Sequence, residues 1–252
     1  MTVNKRAGMG DNLFVGGYDV SGDINAISGA RGGPAALPFT AIIAYAMERK
    51  GGIRNGGISF ISYLDTGASQ SHAVFKPLPR TDIIVGYWMG TALGNPAAEL
   101  VGKQIGYNLQ RPDDGSVKFT VDAESNNYGL EWCEQLTAGK RTDTAATNGT
   151  GVDLAAATTF GLQAYLHVFS FAGTDVTIKL QESSDNAVGD PYANVTGGAF
   201  TAVTVAPTHE RIQTARGLSV ERYLRVVTTT VSGFTSCVFA VAVAKNPTSV
   251  VF

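Results

Sequence analysis

Apolar and polar side chains alternate along residues 103–109 and 116–125, on either side of Arg111-Pro112-Asp113-Asp114-Gly115. In the first stretch Ile105, Tyr107 and Leu109 oppose Gln104, Gly106 and Asn108. In the second, Val117, Phe119, Val121 and Ala123 oppose Lys118, Thr120, Asp122 and Glu124. Successive side chains leave a pleated strand on opposite faces, so a period of two predicts half-buried β-strands. Pro-Asp-Asp-Gly supplies a fixed φ, side-chain caps and a residue suited to positive φ, which is hairpin-turn chemistry. One face of this hairpin is expected to enter a core. The other is polar throughout and serves either as a solvated sheet surface or as one wall of an assembled barrel.

Further strands are expected at 13–20, 58–64, 83–89 and 130–136. Helical spacing is confined to two short stretches. Residues 39–50 place Phe39, Ile42, Ile43 and Met47 on one face and stop at Gly51-Gly52, and residues 69–75 begin with Ser69 as a cap and end before Pro77. Residues 15–25 and 29–37, rich in Gly, predict long excursions, which in a compact β domain make contacts elsewhere. From 137 to 159 the chain is built of Ala, Thr, Gly, Asp and Asn with few large apolar residues. This places a linker at 141–159, between an N-terminal domain at 1–140 and a C-terminal domain at 160–252. In the latter, strands are expected at 160–171, 176–182, 199–205, 222–229 and 234–244, separated by turns and without helices, the pattern of an antiparallel β-sandwich.

A length of 252 residues suits one large or two modest domains. Charged residues make up only 16%, below the roughly 25% of ordinary soluble domains, so part of the surface is expected to be covered by a partner. A net charge of −2 leaves no basic footprint for holding nucleic acid, and no run is long and apolar enough to span a bilayer. Residues 1–12 lack the apolar core of a signal peptide, so synthesis and folding in a cytoplasm are expected. Cys133 and Cys237 have no His or Cys at metal-ligand spacing and read as free thiols packed in sheets.

Catalytic chemistry is signalled once. Asp65-Thr66-Gly67-Ala68-Ser69 matches the aspartic-protease signature, a chemistry that needs two carboxylates sharing a proton. No second copy follows, and the apolar-apolar-glycine element at Ile84-Val85-Gly86 comes too soon, so a strand-to-helix turn is expected instead. His72, His167 and His209 are scattered. No catalytic residue, metal site or cofactor is expected. Tyr165, Phe169, Phe171 and Tyr192 would stack on a sugar if exposed together, the basis of an alternative reading as a carbohydrate- or host-surface-binding module; core packing is the expectation.

Several segments resemble the major tail-tube proteins of long-tailed bacteriophages: Leu13-Phe14-Val15-Gly16-Gly17-Tyr18-Asp19-Val20-Ser21-Gly22-Asp23, then Glu48-Arg49-Lys50-Gly51-Gly52-Ile53-Arg54-Asn55-Gly56-Gly57-Ile58-Ser59-Phe60, then Gly90-Thr91-Ala92-Leu93-Gly94-Asn95-Pro96-Ala97. Leu180-Gln181-Glu182-Ser183-Ser184-Asp185 and Arg222-Tyr223-Leu224-Arg225-Val226 are similar to a sandwich domain appended to virion proteins. The resemblance implies a mainly β fold, a tail-tube sandwich or barrel with a short helix followed by an outward-facing immunoglobulin-like or jelly-roll-like sandwich. It implies six-membered rings that stack into a tube, meet other tail proteins at its ends and let double-stranded DNA slide through without specific binding. Gln104, Asn108, Lys118, Thr120, Asp122 and Glu124 are then candidates to face the lumen. Lys5 and Arg6 in the N-terminal arm, Arg31 in the long loop and Arg54 are candidates for contacts between rings. The implied place is the virion tail, assembled in the host cytoplasm.

Overall fold

The computed structural model describes residues 7–78, 81–104, 106–186 and 188–249; Lys5 and Arg6 therefore lie outside the described residues. The N-terminal half contains β1 Asn12–Val15, β2 Tyr18–Asp19, a 3-10 turn at Ser21–Asp23, β3 Ile24–Pro38, β4 Arg49–Tyr63, α1 Ser71–Phe75, β5 Ile83–Trp88, β6 Pro96–Gln104, β7 Asn108–Gln110, β8 Lys118–Ser125 and β9 Glu131–Gln135. The C-terminal half contains β10 Arg141–Asp143, β11 Val152–Asp153, β12 Leu162–Gly173, β13 Thr177–Ser183, β14 Ala193–Ala199, β15 Thr208–Gln213, β16 Tyr223–Thr229 and β17 Phe234–Lys245. The paired strands run antiparallel. The fold is mainly β, as the alternation predicts.

One long sheet runs β15-β12-β17-β9-β6-β5-β1-β2, with β8, β4, β3 and β7 attached beside β6, and it stays open rather than closing into a barrel. A second sheet, β11-β16-β13-β14, lies over β12 and β17. Between these two layers sit Leu162, Leu166, Val168, Ile178, Leu180, Leu224, Val226, Phe239 and Val241, the core of the C-terminal sandwich. A second core joins Leu13, Ile58, Phe60, Leu100, Phe119 and Val121 with Phe75 of α1. The opposite face of β12 and β17 is buried too: Tyr165, Ala240 and Ala242 pack on Phe14, Ile84, Trp88, Ala97 and Cys133 of the N-terminal half. Burial on both faces explains why β17 reads as a nearly unbroken apolar run.

Four local expectations are corrected. Residues 39–50 form no helix; they are the loop and first residues of the return strand of a β3–β4 hairpin in which Pro38 stands opposite Arg49. An isolated amphipathic helix of that length is marginal without a surface for its apolar face, and residues 39–47 have none here. Residues 29–37, expected as a loop, belong to β3. The helix near residue 70 begins at Ser71 with Gln70 as its cap residue, and Ser69 has φ of 64° rather than a capping role. The stretch expected as a linker is woven into the C-terminal sheets: β10 pairs with β17, β11 pairs with β16, and Val152 joins the core. Its small residues fit narrow edges of a sandwich rather than an open spacer.

Candidate assembly surfaces

The hairpin of β7 and β8 forms as expected, with Gly115 at φ of 80° in its turn. Phe119, Val121 and Ala123 are buried, while Asp122 and Asn108 are exposed and Lys118, Thr120 and Glu124 half-buried on the other face. The first arm is not one strand. β6 ends at Gln104 opposite Ala123, and β7 resumes with Asn108 opposite Thr120, a register one residue out of step. A slip of one residue exchanges the faces. Lys103, opposite Glu124, therefore joins the polar row, while Gln104 pairs opposite Ala123 along the backbone.

Neighbouring β4 extends this polar face with Ser59, Ile61 and Tyr63, which stand opposite Asp122, Thr120 and Lys118. The Lys118 ammonium lies 5.1 Å from the Tyr63 ring centre. Arg31, expected at a contact between rings, reaches over Gly57 to form an ion pair with Glu124, expected in the lumen. The two assignments thus meet on one surface, where Lys103, Lys118 and Arg31 accompany Asp122 and Glu124. Arg54 is half-buried further along β4, with its side chain against Gly129.

The β3–β4 hairpin leaves the body where Gly32 and Gly56 pass Leu130. Beyond that point it projects. Leu37, Phe39, Ile42, Ile43, Tyr45 and Met47 are all exposed, the middle three of the last five by 84% or more. No charged residue stands between Arg31 and Glu48. Among the described residues the tip is held by bonds within the hairpin, among them Phe39 N to Glu48 O at 2.9 Å, Glu48 N to Thr40 Oγ1 at 3.1 Å and Ala44 N to Ala41 O at 3.0 Å. A two-stranded hairpin without a third layer is marginally stable in water. The sequence signal was present as an uncharged apolar run between glycine-rich strands, but helical spacing masked it.

The seam between the halves holds polar groups that the spacing of the sequence did not connect. Glu131 accepts from Arg211 Nη2 at 3.0 and 3.1 Å and from Nε at 3.2 Å, and also from Tyr165 Oη. Arg211 lies 3.8 Å from the Tyr128 ring centre. Burial opposes the Arg211 charge, but Tyr165 and Glu131 outweigh it and hold the guanidinium firmly protonated. Beside this group, Glu99 accepts from Trp88 Nε1 at 2.7 Å and faces His167 Nε2 at 3.2 Å, with Glu99 and His167 both fully buried. A glutamate inside Ala97-Ala98-Glu99-Leu100-Val101 was the available clue, because a buried carboxylate demands partners.

Other candidate chemistry resolves into structure. Asp65 Oδ1 accepts from Gly67 N at 2.8 Å, and Ser71 Oγ accepts from Asp65 N at 3.3 Å and donates to Tyr63 O at 2.8 Å, a strand-to-helix turn. His72 Nδ1 meets Tyr107 Oη at 2.5 Å, away from His167 and His209. Tyr165 is buried, and Arg225 covers the Tyr192 ring at 4.1 Å, so the aromatic residues considered for sugar stacking do not form one open face. Cys133 and Cys237 are free and buried. Burial, reinforced by Glu99 and Glu131, pushes the Cys133 thiol far up, and burial with Asp143 raises Cys237 to about 12, which leaves both unreactive as nucleophiles. Among the described residues no helix is long and apolar enough to cross a membrane, and no group of three metal-ligating side chains is found.

No family model and no curated protein matches the chain. Among solved structures it is similar to the SPP1 Dit (gp 19.1) protein, described as a paradigm of the hub adsorption apparatus in phages infecting Gram-positive bacteria. The identity is 13%, over 93% of this chain and 99% of that one, with a TM-score of 0.32. It is also similar to a chain of the phage p2 baseplate in its activated conformation with Sr, at 9% identity over 94% and 98% of the two chains, TM-score 0.34. Likeness at these scores assigns no function.

Proposed function

We propose that this chain is a structural protein of a long-tailed phage virion and that it assembles with copies of itself into six-membered rings. Stacked rings would form the tail tube that conducts genomic DNA, with other tail proteins at the ends. The observation that carries the self-assembly is the projecting β3–β4 arm. Burying Phe39, Ile42, Ile43, Tyr45 and Met47 would contribute on the order of 10 kcal/mol, at roughly 1.5–3 kcal/mol each. Association costs an estimated 4–15 kcal/mol, so a single arm docked once is close to balance, and a closed ring that repeats the contact is favoured. The ring number and the DNA conduit rest on the sequence resemblance. The polar face of β8, with balanced charge and no basic stripe, suits a wall that DNA passes without lodging.

The test compares the purified chain with a variant whose residues 39–47 are replaced by a glycine-serine loop, using mass measurement and negative-stain microscopy. The wild type is expected to give rings or tubes and the variant a folded monomer. A wild type that stays monomeric at high concentration, or a variant that assembles normally, would refute the reading.

A further inference from the structure

The seam carries a second feature, at the Gly16-Gly17 turn between β1 and β2. A Cβ on Gly17 would stand 2.6 Å from the Thr208 carbonyl and 2.7 Å from that of Val168, and φ there is 84°, so only glycine lets this turn sit between β12 and β15. Two histidines meet behind it. His167 of β12 and His209 of β15 are directly opposed in the antiparallel ladder. His167 Nε2 faces Glu99, and its Nδ1 is buried without a hydrogen-bond partner among the described residues. The same holds for Nδ1 of His209, whose ring lies against the Gly16 and Asp82 backbones.

We propose that this histidine pair is an acid-sensitive latch: proton uptake by His209 releases the Gly16-Gly17 turn from the β12–β15 ladder while both sheets stay folded. In its neutral form His209 fits the seam. A second proton would land on Nδ1, which makes no hydrogen bond among the described residues and has His167 opposite it across the ladder. The surrounding carboxylates are already engaged. Glu99 holds Trp88 and His167, Glu131 holds Arg211 and Tyr165, and Glu210 takes the Thr201 amide and hydroxyl. Asp82 accepts from Asn126 and faces Lys103, and Asp19 takes Ser21 and Lys140. Lys140, lying over Phe169 beside His167, adds a further positive charge. Burial, together with His167, holds the His209 pKa below its ordinary value despite the two backbone carbonyls.

The sign follows from proton linkage. The released state binds a proton near the ordinary histidine pKa of about 6.5 and the latched state binds it less readily, so opening is favoured as pH falls below that value. Between about pH 7.5 and 5 the opening constant should rise by up to about thirtyfold for one proton. Arg211, held firmly protonated by Tyr165 and Glu131, stays charged through this window, which keeps the release local.

The experiment is hydrogen exchange of the full chain, read by mass spectrometry and corrected for the intrinsic pH dependence of exchange. Protection of peptides covering residues 12–19 and 208–213 is expected to fall at least tenfold from about pH 7.5 to about pH 5. Peptides in β13 and β16 should hold theirs, and His209→Gln should remove the pH dependence. Should that variant not fold, histidine-selective NMR of the wild type replaces it, and loss of protection must then track His209 titration. Equal wild-type protection at both pH values, full pH dependence in His209→Gln, or exchange that does not track His209 would overturn the proposal.

Discussion

Arg211→Leu removes the guanidinium that holds Glu131 and caps the Tyr165 hydroxyl. Both members of the ion pair are nearly inaccessible, at 6% and 4% for their side chains. Arg211 also bonds Tyr165 Oη at 3.0 Å and covers the Tyr128 ring. Leaving one charge of a buried pair alone costs about 3–5 kcal/mol, and loss of the ring contact about 1 more. A leucine refills part of the volume and returns roughly 1–2 kcal/mol. The net loss is then about 3–4 kcal/mol, or a fall of roughly 1 M in the urea midpoint at an unchanged slope near 3 kcal/mol/M. Fluorescence of Trp88, which sits in the same seam, reports the transition. Because removing both partners leaves no orphaned charge, Arg211→Leu/Glu131→Leu should recover a large part of the loss. A midpoint shift below roughly 0.3 M, or a double variant whose loss is the sum of the single ones, would refute the view that the two halves are joined through this pair.

Truncation after Gly151 is expected to yield insoluble protein, because it strips Phe14, Trp88 and Cys133 of their cover and leaves Glu99 and Glu131 without His167, Tyr165 and Arg211; a soluble, cooperatively folded fragment by circular dichroism would contradict this. Asp122→Lys should leave the fold intact, since Asp122 is exposed between the buried Val121 and Ala123. In assembled particles the added positive charge should slow DNA ejection at low salt and not at high salt. Unchanged ejection at low salt would assign the lumen to another face.

Much of the β structure was determined by the sequence alone. Strands were expected where β5, β8, β9, β13 and β16 form, alternation located β8, and Pro-Asp-Asp-Gly located the hairpin turn, because strand periodicity and turn chemistry act between near neighbours. The inward set Phe119, Val121 and Ala123 was legible for the same reason. What only the tertiary structure decided depends on contacts between distant residues. Whether residues 39–47 coil or extend depends on having a surface to pack against, and helical spacing in the chain could not reveal that the surface is missing. The one-residue slip between β6 and β7 sets Lys103 rather than Gln104 opposite Glu124, although both stretches alternate. Glu99 with His167, Glu131 with Arg211, and Arg31 with Glu124 are joined by pairing of strands far apart in the chain. The cost of burying charge explains why such partners must exist, but only the folded sheet order selects which residues they are.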